Sequence, residues 1–167
     1  MADDAFLVDI SEGVLTLSFN RPEQGNAIPT SAVPELTDLF KSINGNASVR
    51  AVLIRGEGKH FSAGGDVAGF AQTLAFSPEE RRADFSARLD RTSAYVEAYV
   101  AIEVPVVAAC KGGVAGGGLM YALGADYVLA DETAAFVFAH QRVGLTPDCG
   151  LSFLLPKAVG VRRATEL

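Results

Sequence analysis

The stretch "VPVVAACKGGVAGGGLMYALGADYVLA" occupies residues 104–130. Its opening, "VPVVAAC", is apolar and β-branched, and reads as a buried strand. Five glycines follow within seven residues, Gly112, Gly113, Gly116, Gly117 and Gly118. Residues 117–123 then read as a short helix that begins in glycine, and "DYVLA" at 126–130 as another strand. Strand, glycine turn, helix, strand is the rhythm of an α/β domain. The first N–H groups of a helix have no partner inside it, and the helix dipole adds positive potential. Such a turn therefore suits an oxygen carrying negative charge.

The same layout occurs earlier. "RAVLIRG" (residues 50–56) is a strand, and "EGKHFSAGGDVAGF" behind it is a glycine-bearing loop. Two loops of this kind could aim two N–H donors at one oxygen, as an oxyanion hole does. A nucleotide P-loop does not fit, because Lys111 precedes the glycines instead of following them. A dinucleotide fingerprint begun at Gly116 would place Tyr121 where Gly or Ala is needed. On spacing alone, close packing of helix on sheet explains the glycines as well as a ligand does.

Outward from this centre, "FLVDI" and "VLTLSF" flank "SEG" and read as a β-hairpin. "NRPEQGNAIPT" is a polar loop. Val33, Leu36, Leu39, Phe40 and Ile43 recur at helical steps until "NGN" stops them. Pro78, Glu79 and Glu80 suit the start of a helix reaching about residue 100. "AAFVFA" (134–139) is a strand. Residues 151–160 form a helix that Pro156 is expected to kink or break. There are no repeats or low-complexity linkers.

The chain has 167 residues, 49% hydrophobic and 20% charged, which fits one folded domain. Net charge is −6 with no basic cluster, so a nucleic-acid surface is not expected. Cys110 and Cys149 lack metal-ligand spacing, and the acidic start has no positive leader region. A reducing, cytoplasmic setting is expected. No apolar run is long enough for a membrane span. The chain ends within an apparent helix, "VGVRRATEL", so the domain is expected to continue beyond it.

Four motifs carry a family resemblance: "FNRPEQGNAI" (19–28), "GEGKHFSAGGDV" (56–67), the 104–130 stretch, and "GLTPDCGLSFLLPKAVG" (144–160). Together, in this order and over nearly the whole chain, they resemble the crotonase superfamily of enoyl-CoA hydratases and isomerases. The resemblance implies an α/β, crotonase-like (ClpP/crotonase) spiral of β-β-α turns that assembles as a homotrimer or hexamer. It implies an acyl-CoA thioester as substrate, with coenzyme A part of the substrate, no other cofactor and no metal. The family's C-terminal helical segment, which completes the pocket and supports trimers, is missing, so residues 1–167 are expected to be the N-terminal core domain. Carried onto these residues, the oxyanion donors are expected to be the N–H groups of Ala63 and Gly117. Ala63, Gly64, Gly65 and Asp66 should line the thioester and the adenine side of coenzyme A. Gly116, Met120 and His140 should also face the substrate.

Hydratases of the family resemble one another in using two glutamates. Here those positions hold Met120 and His140. Methionine cannot activate water, so the two-glutamate route is not expected. The remaining acid is Asp148 in "LTPDCG", whose alternative role is to cap the following helix. A "PD" at this point resembles branches that isomerise unsaturated acyl-CoAs by moving a proton. A related dehalogenase branch uses the aspartate as nucleophile with a tryptophan and a histidine near it, and this chain has no Trp. The favoured expectation is an isomerase in which Asp148 is the base; Leu119, Met120, Phe138 and Leu145 could furnish an apolar surround, with core packing the default role for any one of them. An enoyl-CoA hydratase and a non-catalytic acyl-CoA-binding or assembly protein are the rivals. His60 is expected to be structural and Asp66 to cap a helix. Arg21 and Lys59 could meet coenzyme A phosphates, with surface solvation the default for both. A helix around residues 70–85 is expected to set acyl specificity.

Overall fold

A hairpin begins the fold because the chain alternates, turns and alternates again. Strand β1 (Phe6–Ser11) runs antiparallel to β2 (Val14–Phe19), and Ser11 faces Val14 across the turn. The two turn residues, Glu12 and Gly13, both have positive φ (52° and 83°), the twist that a two-residue hairpin needs. The computed structural model describes residues 5–167, and residues 1–4 of the acidic start lie outside the described residues.

Helix α1 (Val33–Ile43) and strand β3 (Ala51–Gly56) come next, then helix α2 (Pro78–Val100). They are followed by β4 (Val106–Cys110), β5 (Gly113–Ala115), α3 (Gly118–Gly124), β6 (Tyr127–Ala130) and β7 (Ala135–Val137). Helices α4 (Leu151–Val159) and α5 (Val161–Glu166) close the chain. The large sheet has the order β1-β2-β3-β4-β6, parallel after the first pair.

A second, smaller layer gives the fold its period. Ile28 bridges to Gly65, Ser62 bridges to Val114, and β5 pairs with β7, all parallel. Each turn therefore lays one strand in the large sheet, one short pairing segment in the small layer, and then a helix. β2, Ile28 and α1 make one turn; β3, Ser62 and α2 the next. β4, β5 and α3 follow, then β6, β7 and α4. This is the β-β-α spiral expected from the four motifs.

Helix α2 starts where expected, through a capping box. The Ser77 hydroxyl accepts from the Glu80 N–H, and the Ser77 N–H donates to the Glu80 carboxylate at 2.8 Å. Residues 70–85 are not one helix. A 3-10 segment covers Val67–Ala75, and the helical run is interrupted at Phe76 and Ser77 before α2. Pro156 does not end α4, which continues to Val159 and stops at Gly160, where φ is 81°.

The core joins both layers. Leu15, Leu17 and Ile54 of the sheet are buried with Leu36 and Phe40 of α1 and Tyr99 of α2. Phe40, Tyr95, Tyr99 and Tyr121 stack or meet edge to face, and the Tyr99 hydroxyl donates to the Tyr121 carbonyl at 2.7 Å. Among the described residues, no helix is long and apolar enough to cross a membrane.

Candidate active site

The loop after β3 is held by the loop after β2. Asn26 is buried with φ 58°, and its side-chain amide donates to the carbonyls of Glu57 (2.9 Å) and His60 (2.7 Å). Its Oδ1 accepts from the Arg21 N–H. The Ser62 hydroxyl donates to the Asn26 carbonyl and accepts from the Gly64 N–H. Ala63 N–H donates to the Gly25 carbonyl at 2.8 Å, Ile28 N–H to Gly64, and Asp66 N–H to Ile28. Asp66 caps the 3-10 segment through the Ala68 N–H and pairs with Arg21 at 3.2 Å.

This wiring corrects one expectation. The Ala63 N–H is engaged by the Gly25 carbonyl, so it is not free for the oxyanion role expected of it. An extended backbone alternates its N–H groups from side to side, and Ile28 takes those on one side. Gly65 faces the other way. Among the described residues its N–H has no partner, and a methyl placed on it would meet nothing within 4 Å.

The second glycine loop presents the matching group. Gly116 has φ 51°, and its N–H donates to the Val137 carbonyl. The next N–H, that of Gly117, has no partner among the described residues. A methyl on Gly117 would stand 3.7 Å from the Gly65 nitrogen and 3.4 Å from the Cys149 sulfur. Two free N–H groups from two loops thus lie beside each other at a cavity of about 910 Å³.

That cavity is walled by Ala63, Gly65, Asp66, Gly116 and Gly117 on one side and by α2, with Phe85, Arg88 and Tyr95, on another. Phe70 of the 3-10 segment meets Phe85 edge to face. The loop before α4 contributes His140, Leu145, Asp148 and Cys149. Asp148 does not cap α4 through its side chain. Its Oδ1 lies 3.0 Å from Nε2 of His140. The carboxylate is 40% exposed and the imidazole 6%. Burial pushes the Cys149 thiol up from its ordinary range, and the neighbouring Asp148 carboxylate adds to the rise.

Other expected residues fall elsewhere. Met120 and Leu119 are buried in the core and are not on the wall of this cavity, contrary to the expectation that they face it. Gly64 is also absent from the wall. Its φ of 90° lets the two loops approach, and a methyl there would come within 2.6 Å of the Gly117 nitrogen. Phe138 lines a smaller cavity of about 270 Å³ between α4 and α5, while Leu145 does line the large one. His60 accepts the Gly113 N–H on Nδ1 at 2.9 Å, a structural contact. Arg21 donates through Nη1 to Asp66 and the Ala27 carbonyl, a role in bracing the loop. Lys59 is exposed. Among the described residues, no group of three or more His, Cys, Asp or Glu is placed to hold a metal ion.

The family model for enoyl-CoA hydratase/isomerase matches residues 9–167. The chain belongs to the enoyl-CoA hydratase/isomerase family. Its relatives include the 1,2-epoxyphenylacetyl-CoA isomerase of Escherichia coli (strain K12), 33% identical over 96% of this chain and 60% of the relative. The 4-chlorobenzoyl coenzyme A dehalogenase-2 of Arthrobacter sp is 32% identical over 99% of this chain and 59% of the relative. Among solved structures, an enoyl-CoA hydratase from Mycobacterium avium subsp. paratuberculosis K-10 superposes with a TM-score of 0.82 at 31% identity, over 97% of this chain and 58% of that one. The chain thus spans about three-fifths of the length of these relatives. One backbone fold serves three named reactions here, so the reaction must be argued from the wall residues.

Proposed function

We propose that this chain binds an acyl-CoA thioester with its carbonyl oxygen between the Gly65 and Gly117 N–H groups, and that Asp148 moves a proton to isomerise an enoyl group. Two fixed donors stabilise an enolate oxygen more than the carbonyl from which it forms. The observation that carries the proposal is the distribution of acids on the cavity wall. Among the described residues only Asp66 and Asp148 bring carboxylates there. Asp66 is held by Arg21 and the Ala68 N–H, whereas Asp148 stands half-exposed in the cavity. Its neighbour Cys149 is the residue whose sulfur reaches the Gly117 turn.

In the step, Asp148 takes a proton alpha or gamma to the thioester. The electron pair moves onto the carbonyl oxygen, and the proton returns to the other carbon. No atom is gained or lost. A hydratase would need a second proton carrier to activate water, and the positions of the two glutamates hold buried Met120 and His140. The E. coli relative, an isomerase of an acyl-CoA, supports the same reaction class.

The test is incubation with a 3-enoyl-CoA in deuterated water. The unmodified chain should carry deuterium into C2 or C4. Asp148→Asn should lower exchange by roughly 10²–10⁴-fold, the usual worth of a positioned acid–base group, while acyl-CoA affinity is retained. Normal exchange by Asp148→Asn would refute the assignment, and binding without exchange by the unmodified chain would favour a binding protein.

A further inference from the structure

We infer that His140 is the positioning residue for Asp148: it holds the carboxylate by Oδ1 at the cavity wall. The inference rests on the reading of Asp148 as the base.

Asp148 Oδ1 is 3.0 Å from His140 Nε2. An ionised carboxylate only accepts hydrogen bonds, so Nε2 must carry the proton in this contact. The other ring nitrogen, Nδ1, is buried and has no partner among the described residues. A buried acceptor without a partner is tolerated better than a buried N–H without one. Both nitrogens therefore favour the tautomer with its hydrogen on Nε2. That hydrogen fixes Oδ1 and with it the plane of the carboxyl group.

The backbone makes the contact possible. A 3-10 turn (His140–Val143) ends at Gly144 with φ 71°, and the Leu145 N–H returns to the His140 carbonyl at 3.0 Å. The chain reverses there and brings residue 148 back over residue 140. The imidazole lies behind and the carboxylate in front, at 6% and 40% exposure. His140 thus reaches the reaction through Asp148. An orienting partner behind a proton carrier matters because a misplacement of about 1 Å can cost on the order of 10²-fold in rate.

Two substitutions separate positioning from packing. A glutamine amide reaches about as far as Nε2, and an asparagine amide does not. His140→Asn should lower the rate of deuterium exchange by about 10²-fold with acyl-CoA affinity unchanged, and His140→Gln should recover most of it. Equal losses in both variants, or no loss in either, would overturn the inference. The nitrogen NMR spectrum of the unmodified chain gives a readout independent of turnover. His140 should show a pyrrole-type Nε2–H and an imine-type Nδ1, and Asp148→Asn should disturb that assignment. A protonated Nδ1, or two nitrogens averaged by exchange, would also overturn it. If Asp148→Asn turned over normally while the NMR signature held, the base assignment alone would fall.

Discussion

A methyl group on Gly64 would stand 2.6 Å from the Gly117 nitrogen and 2.8 Å from the Ala115 carbonyl oxygen. The two glycine loops meet there, and only a residue without Cβ allows it. Gly64 also has φ 90°, outside the range that a side chain tolerates easily. Gly65, one residue on, has open space around its α-carbon. Gly64→Ala should destabilise the fold by about 2–4 kcal/mol, combining a left-handed backbone and an overpacked contact. Gly65→Ala should leave stability unchanged or raise it by up to about 1 kcal/mol. Urea denaturation of the two variants checks the contrast, and equal behaviour would mean that the loops do not touch at Gly64.

Asn26 connects two loops that the sequence separates by about thirty residues. Its amide satisfies two carbonyls of the 57–60 loop, and its carbonyl oxygen satisfies the Arg21 N–H. Asn26→Ala would leave these partly buried groups without partners. The expected loss is about 3 kcal/mol, since each stranded buried group costs about 1–3 kcal/mol. Gly65 is held by the same loop pairing, so kcat of any exchange reaction should fall as well. Thermal melting with the exchange assay tests both, and an active, stable Asn26→Ala would show that the bracing is redundant.

Legibility of the sequence tracks the distance over which each feature is decided. The hairpin was readable because Glu12 and Gly13 form the turn themselves, and α2 because Pro78, Glu79 and Glu80 mark its start locally, where Ser77 proves to be the cap. Strand β5 was not readable: three residues including Gly113 become a strand only because Ala135 to Val137 pair with them. The donor residue in the first glycine loop depends on which N–H groups Ile28 and Gly25 occupy, and the motif shows only that glycines are present. Asp148 and His140 could each be singled out, but their contact depends on the turn at Gly144. Met120 was readable both as a missing acid and as a residue more apt for core packing than for a pocket wall, and it is buried.

The Arg21–Asp66 pair should behave as a unit. Both side chains are largely buried, at 15% and 26% exposure, and the pair locks the residue next to Gly65. Single Ala substitutions and the double variant form a cycle whose coupling should be about 1 kcal/mol, near the upper end for partly exposed pairs. Asp66→Asn keeps an oxygen for the Ala68 N–H and loses the charge, so it should recover part of the stability lost in Asp66→Ala. Additivity across the cycle would show that the pair contributes nothing beyond its separate parts.

Stability should fall on the alkaline side, and the sign follows from the buried thiols and phenols. Burial pushes Cys110 up to about 11 from an ordinary 9.0, and it pushes Cys149, Tyr99 and Tyr121 upward as well. At a given pH in this range the unfolded chain has released protons that the folded chain still holds. The slope of unfolding free energy with pH is therefore negative. For Cys110 the contribution is fully present below pH 9 and is lost as pH rises through about 11. Urea unfolding at successive pH values should show this decline. Cys110→Ala should begin less stable, because it leaves a small cavity, and should then decline less steeply between pH 9 and 11. The slope identifies the ionising group where the starting stability does not. Parallel curves for the variant and the unmodified chain would mean that the Cys110 thiol ionises as easily in the fold as outside it.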